Sequence, residues 1–346
     1  MKQTILLLLT TLFALTAPAQ IDSNPCDAEA IAAAKNLYAY LRDEVWGKKV
    51  LSGCQARWNY NTDDAETIYQ KTGKYPAVNV FDFQHYDMSW VNYRSAVARD
   101  WYRNGGIVSF MWHWNVPVNA FTAANRDAYT VMISSGDELT YFSPSRAVTK
   151  GTLENRIARQ QLDGVAALLL LYQSQDIPVL WRPLHEAAGN RLDDGTRQPW
   201  FWWGSEGAEA YKRLYRYMYD YFQKKGLHNL LWIWTSQTDD PDWYPGDDCV
   251  DFIARDAYEK NSSHAAIKAD FDALKKRYPN KMLILAETDG VPSYANMEKD
   301  EAKWLFVAPW TGDFPFNEAY GNTDAFWKTF MTDQGIITRD QVTVKK

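Results

Sequence analysis

Pro178-Val-Leu-Trp-Arg-Pro-Leu-His-Glu186 reads as a buried strand that ends in a carboxylate. It opens at a proline after a long helical run, and Val179, Leu180 and Trp181 are good strand formers. Side chains alternate along a strand, so Leu180, Arg182, Leu184 and Glu186 are expected on one face and His185 on the other, unless the strand end twists. A Glu at that end points from the strand's carboxyl end, where barrels of alternating strands and helices carry their active sites. A second such strand, Lys281-Met-Leu-Ile-Leu-Ala-Glu287, is expected to place Leu283, Leu285 and Glu287 on one face. One strand-end Glu is usually a salt-bridge or cap residue, whereas two fit hydrolysis of a glycosidic bond by a carboxylate pair.

Working outward, strands and helices alternate eight times. Strands are expected at 49–53, 76–82, 107–113, 178–186, 229–234, 250–258, 281–287 and 303–310. Helical patterns run over 27–42, 63–72, 91–104, 153–173, 206–225, 263–278 and 323–331, with Gly73, Gly105-Gly106 and Gly226 as stops. A long polar connection spans 114–150. No composition shift or Gly/Ser linker divides the chain, so residues 20–346 are expected to form a single (β/α)8 TIM barrel. The alternative, a doubly wound open sheet, would need a Gly-rich phosphate turn after its first strand, and Ser52-Gly53-Cys54-Gln55 is not one.

The 346 residues carry a formal net charge of −6, which disfavours nucleic acid and anionic membrane surfaces as partners. Aromatic residues make up 15%, with 16 Trp and 21 Tyr. Sugar rings stack on indole and phenol faces, so a neutral carbohydrate ligand accounts for the excess; packing in a large core is the other account. Lys2, the apolar run Ile5 to Leu15 and Ala17-Pro18-Ala19 form a secretory signal, with cleavage expected before Gln20. No Cys stands at the cleavage point to carry a lipid anchor, and the mature protein is expected in the periplasm or outside the cell, as a monomer. That compartment permits one disulfide among Cys26, Cys54 and Cys249, and the sequence does not choose the pair; three free, buried thiols are the other reading.

Polar and aromatic residues gather at the carboxyl ends of five strands: His113, His185-Glu186, Asp256 with Tyr258, Glu287 and Trp310. In a barrel these ends ring one pocket. Trp181-Arg-Pro-Leu-His-Glu186 followed by Trp200-Phe-Trp-Trp-Gly204 resembles glycoside hydrolase family 26, mostly secreted β-mannanases. Trp112-His113 with Pro117, Arg255-Asp-Ala-Tyr258 and Leu285-Ala-Glu287 match in the same order, so the resemblance covers the mature chain.

The resemblance implies a retaining double displacement, with Glu186 as general acid/base and Glu287 as nucleophile, their carboxyl groups about 5–5.5 Å apart. It implies further that Tyr258 holds the nucleophile, His113 contacts the central sugar, His185 shapes the site, Trp200 lies by the acid/base and Trp310 is a sugar platform. Asp256 is expected in the pocket or on a neighbouring Arg, and Arg182 beneath an inner carboxylate. Each of these also has a structural reading: core packing for each Trp, a hydrogen-bonded core position for each His. In many members the Trp-Phe-Trp-Trp-Gly run follows the acid/base closely, whereas here Ala187 to Pro199 intervenes. That loop either closes one end of the groove, making a pocket that releases mannobiose, or is a tolerated surface insertion.

The expected substrate is therefore a β-1,4-mannan, with mixed-linkage glucan or xylan as alternatives on the same barrel. A non-catalytic glycan-binding protein is the reading from another class, and the presence of both Glu186 and Glu287 speaks against it. The five His form no metal-ligand motif such as HExxH, so neither metal nor cofactor is expected.

Overall fold

Eight parallel strands succeed one another around a closed barrel in this computed structural model. They are β1 Val50–Gln55, β2 Val78–Asp82, β3 Ile107–Trp112, β4 Val179–Pro183, β5 Leu230–Thr235, β6 Phe252–Ala257, β7 Met282–Thr288 and β8 Phe306–Val307. Each pairs with the next, and β8 closes on β1 through Leu51↔Phe306 and Ser52↔Val307. The structure describes residues 20–56, 61–84, 86, 94–118, 129–134 and 139–344. The leader 1–19, the start of the 91–104 helix and parts of the 114–150 connection lie outside the described residues.

Alternation sorts the strand side chains into two cores. Trp181, Trp232, Trp234, Phe110, Leu283 and Leu285 face the outer helices, among Leu162, Val165, Leu214 and Met218. Val80, Met111, Leu180, Ile233, Ala254 and Ile284 fill the barrel interior. A slip of one residue in any strand would exchange the two sets, so burial fixes the register. The helix Ala32–Tyr40, continued by a π-helical turn Leu41–Val45, plugs the barrel's amino-terminal end. Its Leu37, Tyr38 and Leu41 join the inner core, with Tyr38 against Phe252 at 5.6 Å. Only the opposite, carboxyl end of the barrel is left for chemistry.

The outer helices follow their predicted patterns. Leu153–Gln173 begins where the Thr152 side chain accepts from Asn155 N, and it buries Ala158, Leu162, Val165, Leu169 and Tyr172 at helical spacing. Gly207–Lys224 buries Tyr211, Leu214, Tyr215, Met218 and Phe222 in the same way.

The tryptophan excess is mostly packing. Among the described residues, nine Trp are fully buried: 112, 114, 181, 202, 203, 232, 234, 304 and 327. The three cysteines are free thiols; Cys54 is buried, its Sγ 3.0 Å from Asn79 Oδ1. No helix among the described residues is long and apolar enough to cross a membrane.

Candidate active site

The strand alternation that singled out Glu186 and Glu287 is interrupted at both. β4 ends at Pro183, and Leu184 and Glu186 then take positive φ values of 52° and 53°. Leu184 therefore packs in the outer core, and the consecutive residues His185 and Glu186 both reach the mouth. The expectations that Leu184 shares a face with Glu186, and that His185 lies opposite, are corrected by this break. Left-handed backbone at a bulky residue is costly, of order 1–3 kcal/mol, and persists only when neighbours hold it. Here Tyr211 Oη donates to Leu184 O at 3.1 Å and Trp203 Nε1 to His185 O at 2.8 Å. The Trp202–Gly204 turn lies so close that a Cβ on Gly204 would sit 2.0 Å from Ala187 O, so only glycine fits.

A β-bulge does the corresponding work in β7. Leu285 pairs with Arg255, but Glu287 pairs with Asp256, so Ala286 is the extra residue. Leu283 and Leu285 face the helices and Ile284 and Ala286 face inward, so strict alternation would turn Glu287 outward. The bulge turns it into the mouth instead, and Gln55 Nε2 takes up the displaced Ala286 carbonyl at 2.8 Å.

Arg182, on the inner face of β4 and 1% exposed, organises the carboxylates. It donates to Asp256 Oδ2 at 2.8 Å and, through its other terminal nitrogen, to Glu287 Oε1. Tyr258 Oη donates to Glu287 Oε2 at 2.6 Å. Each oxygen of Glu287 thus accepts from a fixed donor, which holds a carboxylate in one orientation. Glu186 accepts at Oε2 from Trp200 Nε1 at 3.1 Å. One oxygen from each of Glu186, Asp256 and Glu287 lies within 4.8 Å of the other two. Three acids so close form a set that a cation could join, and the guanidinium of Arg182 already provides one there.

The environments differ. Burial, then the charges of Asp256 and Glu287, raise the Glu186 carboxyl well above its usual range, with Arg182 and the Trp200 hydrogen bond opposing. Burial pushes Asp256 up to about 7, against the pull of Arg182. Asp256 Oδ1 is buried with no hydrogen-bond partner among the described residues.

His113 follows β3 on its inner face, with Nδ1 2.6 Å from Asp82 Oδ2 and Nε2 3.2 Å from His185 Nε2. Phe201 packs against both imidazoles, its ring 5.6 and 5.4 Å from theirs, and Trp310 meets His113 edge-on at 5.8 Å. All eight expected site residues therefore surround one mouth. Asp82, Thr235, Gln55 and Phe201 belong to it as well and were not singled out. Asp82 ends the inward series Val78, Val80, Asp82, the same positional signal that marked Tyr258 behind Phe252, Ala254 and Asp256.

Residues 26–341 match the model of glycosyl hydrolase family 26. The chain belongs to that family. It is 32% identical over 333 residues to a mannan endo-1,4-β-mannosidase of Thermothelomyces thermophilus, covering 93% of this chain and 64% of that protein. Its fold matches the family 26 domain of the Prevotella bryantii endo-β-mannanase/endo-β-glucanase with a TM-score of 0.82, at 39% identity over 93% of this chain and 100% of that one. It is similar too, at 31% identity and TM-score 0.82 over 94% and 99% of the two chains, to a β-mannanase from a symbiotic protist of the termite Reticulitermes speratus, solved with a gluco-manno-oligosaccharide. The chain spans between half and two-thirds of the length of the first curated relatives, 64%, 52% and 50%.

Within this family 26 barrel, the segment between Glu186 and Trp200 is a small hairpin, Asn190–Arg191 paired with Arg197–Gln198. It is tied down at its side. Arg197 donates to Asp239 Oδ1 at 2.8 Å and to its carbonyl at 2.6 Å, and Arg191 approaches Oδ2 at 3.7 Å. Asp239 lies in the loop after β5, so the hairpin bridges the loops that follow β4 and β5. Its two feet are the Glu186 segment and Trp200.

Proposed function

We propose that this chain is an exported, retaining glycoside hydrolase that cleaves β-1,4-mannosidic bonds in mannan, galactomannan or glucomannan. The observation that carries the mechanism is the pairing of Glu186 and Glu287, with oxygens within 4.8 Å, the first among acidic neighbours and the second held by two fixed donors. A direct nucleophile needs a separation of about 5–5.5 Å, whereas activating an intervening water needs about 6.5–9.5 Å.

Glu186, kept protonated by burial and by its two acidic neighbours, gives its proton to the glycosidic oxygen. Glu287, aimed by Arg182 and Tyr258, attacks the anomeric carbon, and the leaving sugar departs as an alcohol. The negative charge moves from Glu287 to Glu186 in this step. With Glu287 esterified, one of the charges that raised Glu186 is gone, so Glu186 becomes a stable carboxylate and a base. It removes a proton from water, the resulting hydroxide attacks the anomeric carbon, and Glu287 leaves. Both original states are restored, and two inversions give net retention.

The mannosidase names of the relatives support the choice of sugar, and the charged start, apolar run and Ala17-Pro18-Ala19 of the leader support export to the periplasm or beyond. The test is release of reducing ends from linear mannan, mixed-linkage glucan and xylan, by the wild-type protein and by Glu287→Ala. Release from mannan that Glu287→Ala abolishes is expected. Release from glucan or xylan alone would overturn the substrate, and full activity of the variant would overturn the mechanism.

A further inference from the structure

Asp82 lies at the end of β2 and touches neither Glu186 nor Glu287, yet its carboxylate is fully engaged. Oδ1 accepts from the backbone nitrogens of His113 at 3.0 Å and Gln84 at 2.9 Å, and Oδ2 faces His113 Nδ1 at 2.6 Å. The Nδ1 of His113 must carry a proton, because Oδ2 can only accept. The other nitrogen of that ring, Nε2, is 3.2 Å from Nε2 of His185, and one proton must lie between them. His185 Nε2 is in turn 3.9 Å from Glu287 Oε1, and His185 Nδ1 is buried without a partner among the described residues.

The shared proton belongs to one ring or the other, and the charges around them decide which. Among the described residues, the charged and titratable groups acting on the pair are Asp82 from β2, Arg182 from β4 and Glu287 from β7; the neighbouring Phe201, Trp203 and Trp310 are neutral rings. His113 has the carboxylate of Asp82 in direct contact. His185 has no acid in hydrogen-bond contact and feels the guanidinium of Arg182. We propose that Asp82, His113 and His185 form a hydrogen-bonded array in which Asp82, as a positioning residue, fixes His113 as an imidazolium that donates to a neutral His185 behind the nucleophile. The directions of the ring shifts agree: burial lowers His113, but the charge and hydrogen bond of Asp82 outweigh it, whereas burial and then Arg182 drive His185 down.

The array gives the site a second fixed positive centre, beside Arg182, without giving Glu287 a third hydrogen bond. It also commits Nε2 of His185 as an acceptor, so that His185 cannot compete with Arg182 for Oε1 of the nucleophile. This part rests on Glu287 being the nucleophile; the location of the proton does not.

The experiment is ¹⁵N spectroscopy of the full chain labelled at histidine, at pH 7, with Asp82→Asn and His113→Gln. In the wild-type protein one ring is expected to carry protons on both nitrogens, and its Nε2 to couple across the hydrogen bond to the Nε2 of a neutral ring. The signals are lost in His113→Gln, and the ring becomes singly protonated in Asp82→Asn. Two neutral rings in the wild-type protein would overturn the array, and this reading does not depend on any variant folding. Kinetics on an activated aryl β-mannoside, whose leaving group needs no acid, then read the nucleophile. With the imidazolium gone, Glu287 is harder to ionise, so Asp82→Asn is expected to move the acid limb of kcat/KM up by about one pH unit. His113→Gln, which takes the cation from Asp82, moves it in the same direction. An unmoved limb in folded variants would reduce Asp82 to a structural residue. Full turnover by Glu287→Ala would instead remove the nucleophile assignment and leave the spectra to decide the array.

Discussion

Replacing Trp200 with Phe isolates one hydrogen bond to the proposed acid/base while keeping a ring in place. Trp200 Nε1 donates to Glu186 Oε2 at 3.1 Å, and this bond opposes the rise in the carboxyl's pKa. Hydrogen bonds to charged groups are worth about 1.5–3 kcal/mol, and both residues are only partly buried, so the lower figure applies. One pH unit corresponds to about 1.36 kcal/mol, so the deprotonation equilibrium of Glu186 changes roughly tenfold. The bond favours the carboxylate, so its loss favours the acid. The alkaline limb of kcat/KM on mannohexaose should therefore move up by about one pH unit. The second step needs Glu186 ionised, so kcat on an activated aryl β-mannoside, where hydrolysis of the intermediate limits the rate, should fall by up to about tenfold. The assay is a pair of pH–rate profiles for the two substrates. An alkaline limb that stays in place or moves down would refute Glu186 as the acid.

Arg182→Met should leave Asp256 and Glu287 buried without their cation and destabilise the fold by about 3–5 kcal/mol, read as a lower urea midpoint; a wild-type midpoint would mean the pair is not held by Arg182. Asp256 and Asp251 have folded pKa values pushed up to about 7 and about 6, chiefly by burial. The folded state therefore binds more protons than the unfolded one between about pH 4 and 7, and these groups withdraw stability as pH rises through that window. Asp256→Asn should flatten the fall in thermal midpoint from pH 5 to 8, and an unchanged slope would contradict the assignment. Asp239→Ala frees the hairpin from the loop after β5 and should alter the product ratio from mannohexaose while sparing the aryl substrate; an unchanged product ratio would make the hairpin a surface insertion.

The fold was legible because period and burial agree in most elements. Leu153–Gln173 has its cap and apolar stripe in sequence, and the inward series of β2, β3, β5, β6 and β8 keep strict alternation to the barrel mouth. The two glutamates were found by the same rule, although neither obeys it. Glu186 reaches the site through left-handed backbone held by Tyr211 and Trp203, and Glu287 through a bulge stabilised by Gln55. Those devices depend on residues far away in the chain, which no local pattern carries. Asp82 was legible by position and was passed over because it is paired with His113 rather than with either glutamate. The tryptophans misled for the opposite reason: their composition fits sugar binding, but only the fold separates Trp200 and Trp310 at the mouth from those buried in the cores.

The central claim, that Glu287 attacks sugar directly while Glu186 serves first as acid and then as base, is tested by the configuration of the first product. Proton NMR of mannohexaose hydrolysis, followed within the first minutes before mutarotation, resolves the anomeric signals of the new reducing end. Early accumulation of the β anomer is the predicted result. Early accumulation of the α anomer would mean a single inversion by water and would contradict the double displacement.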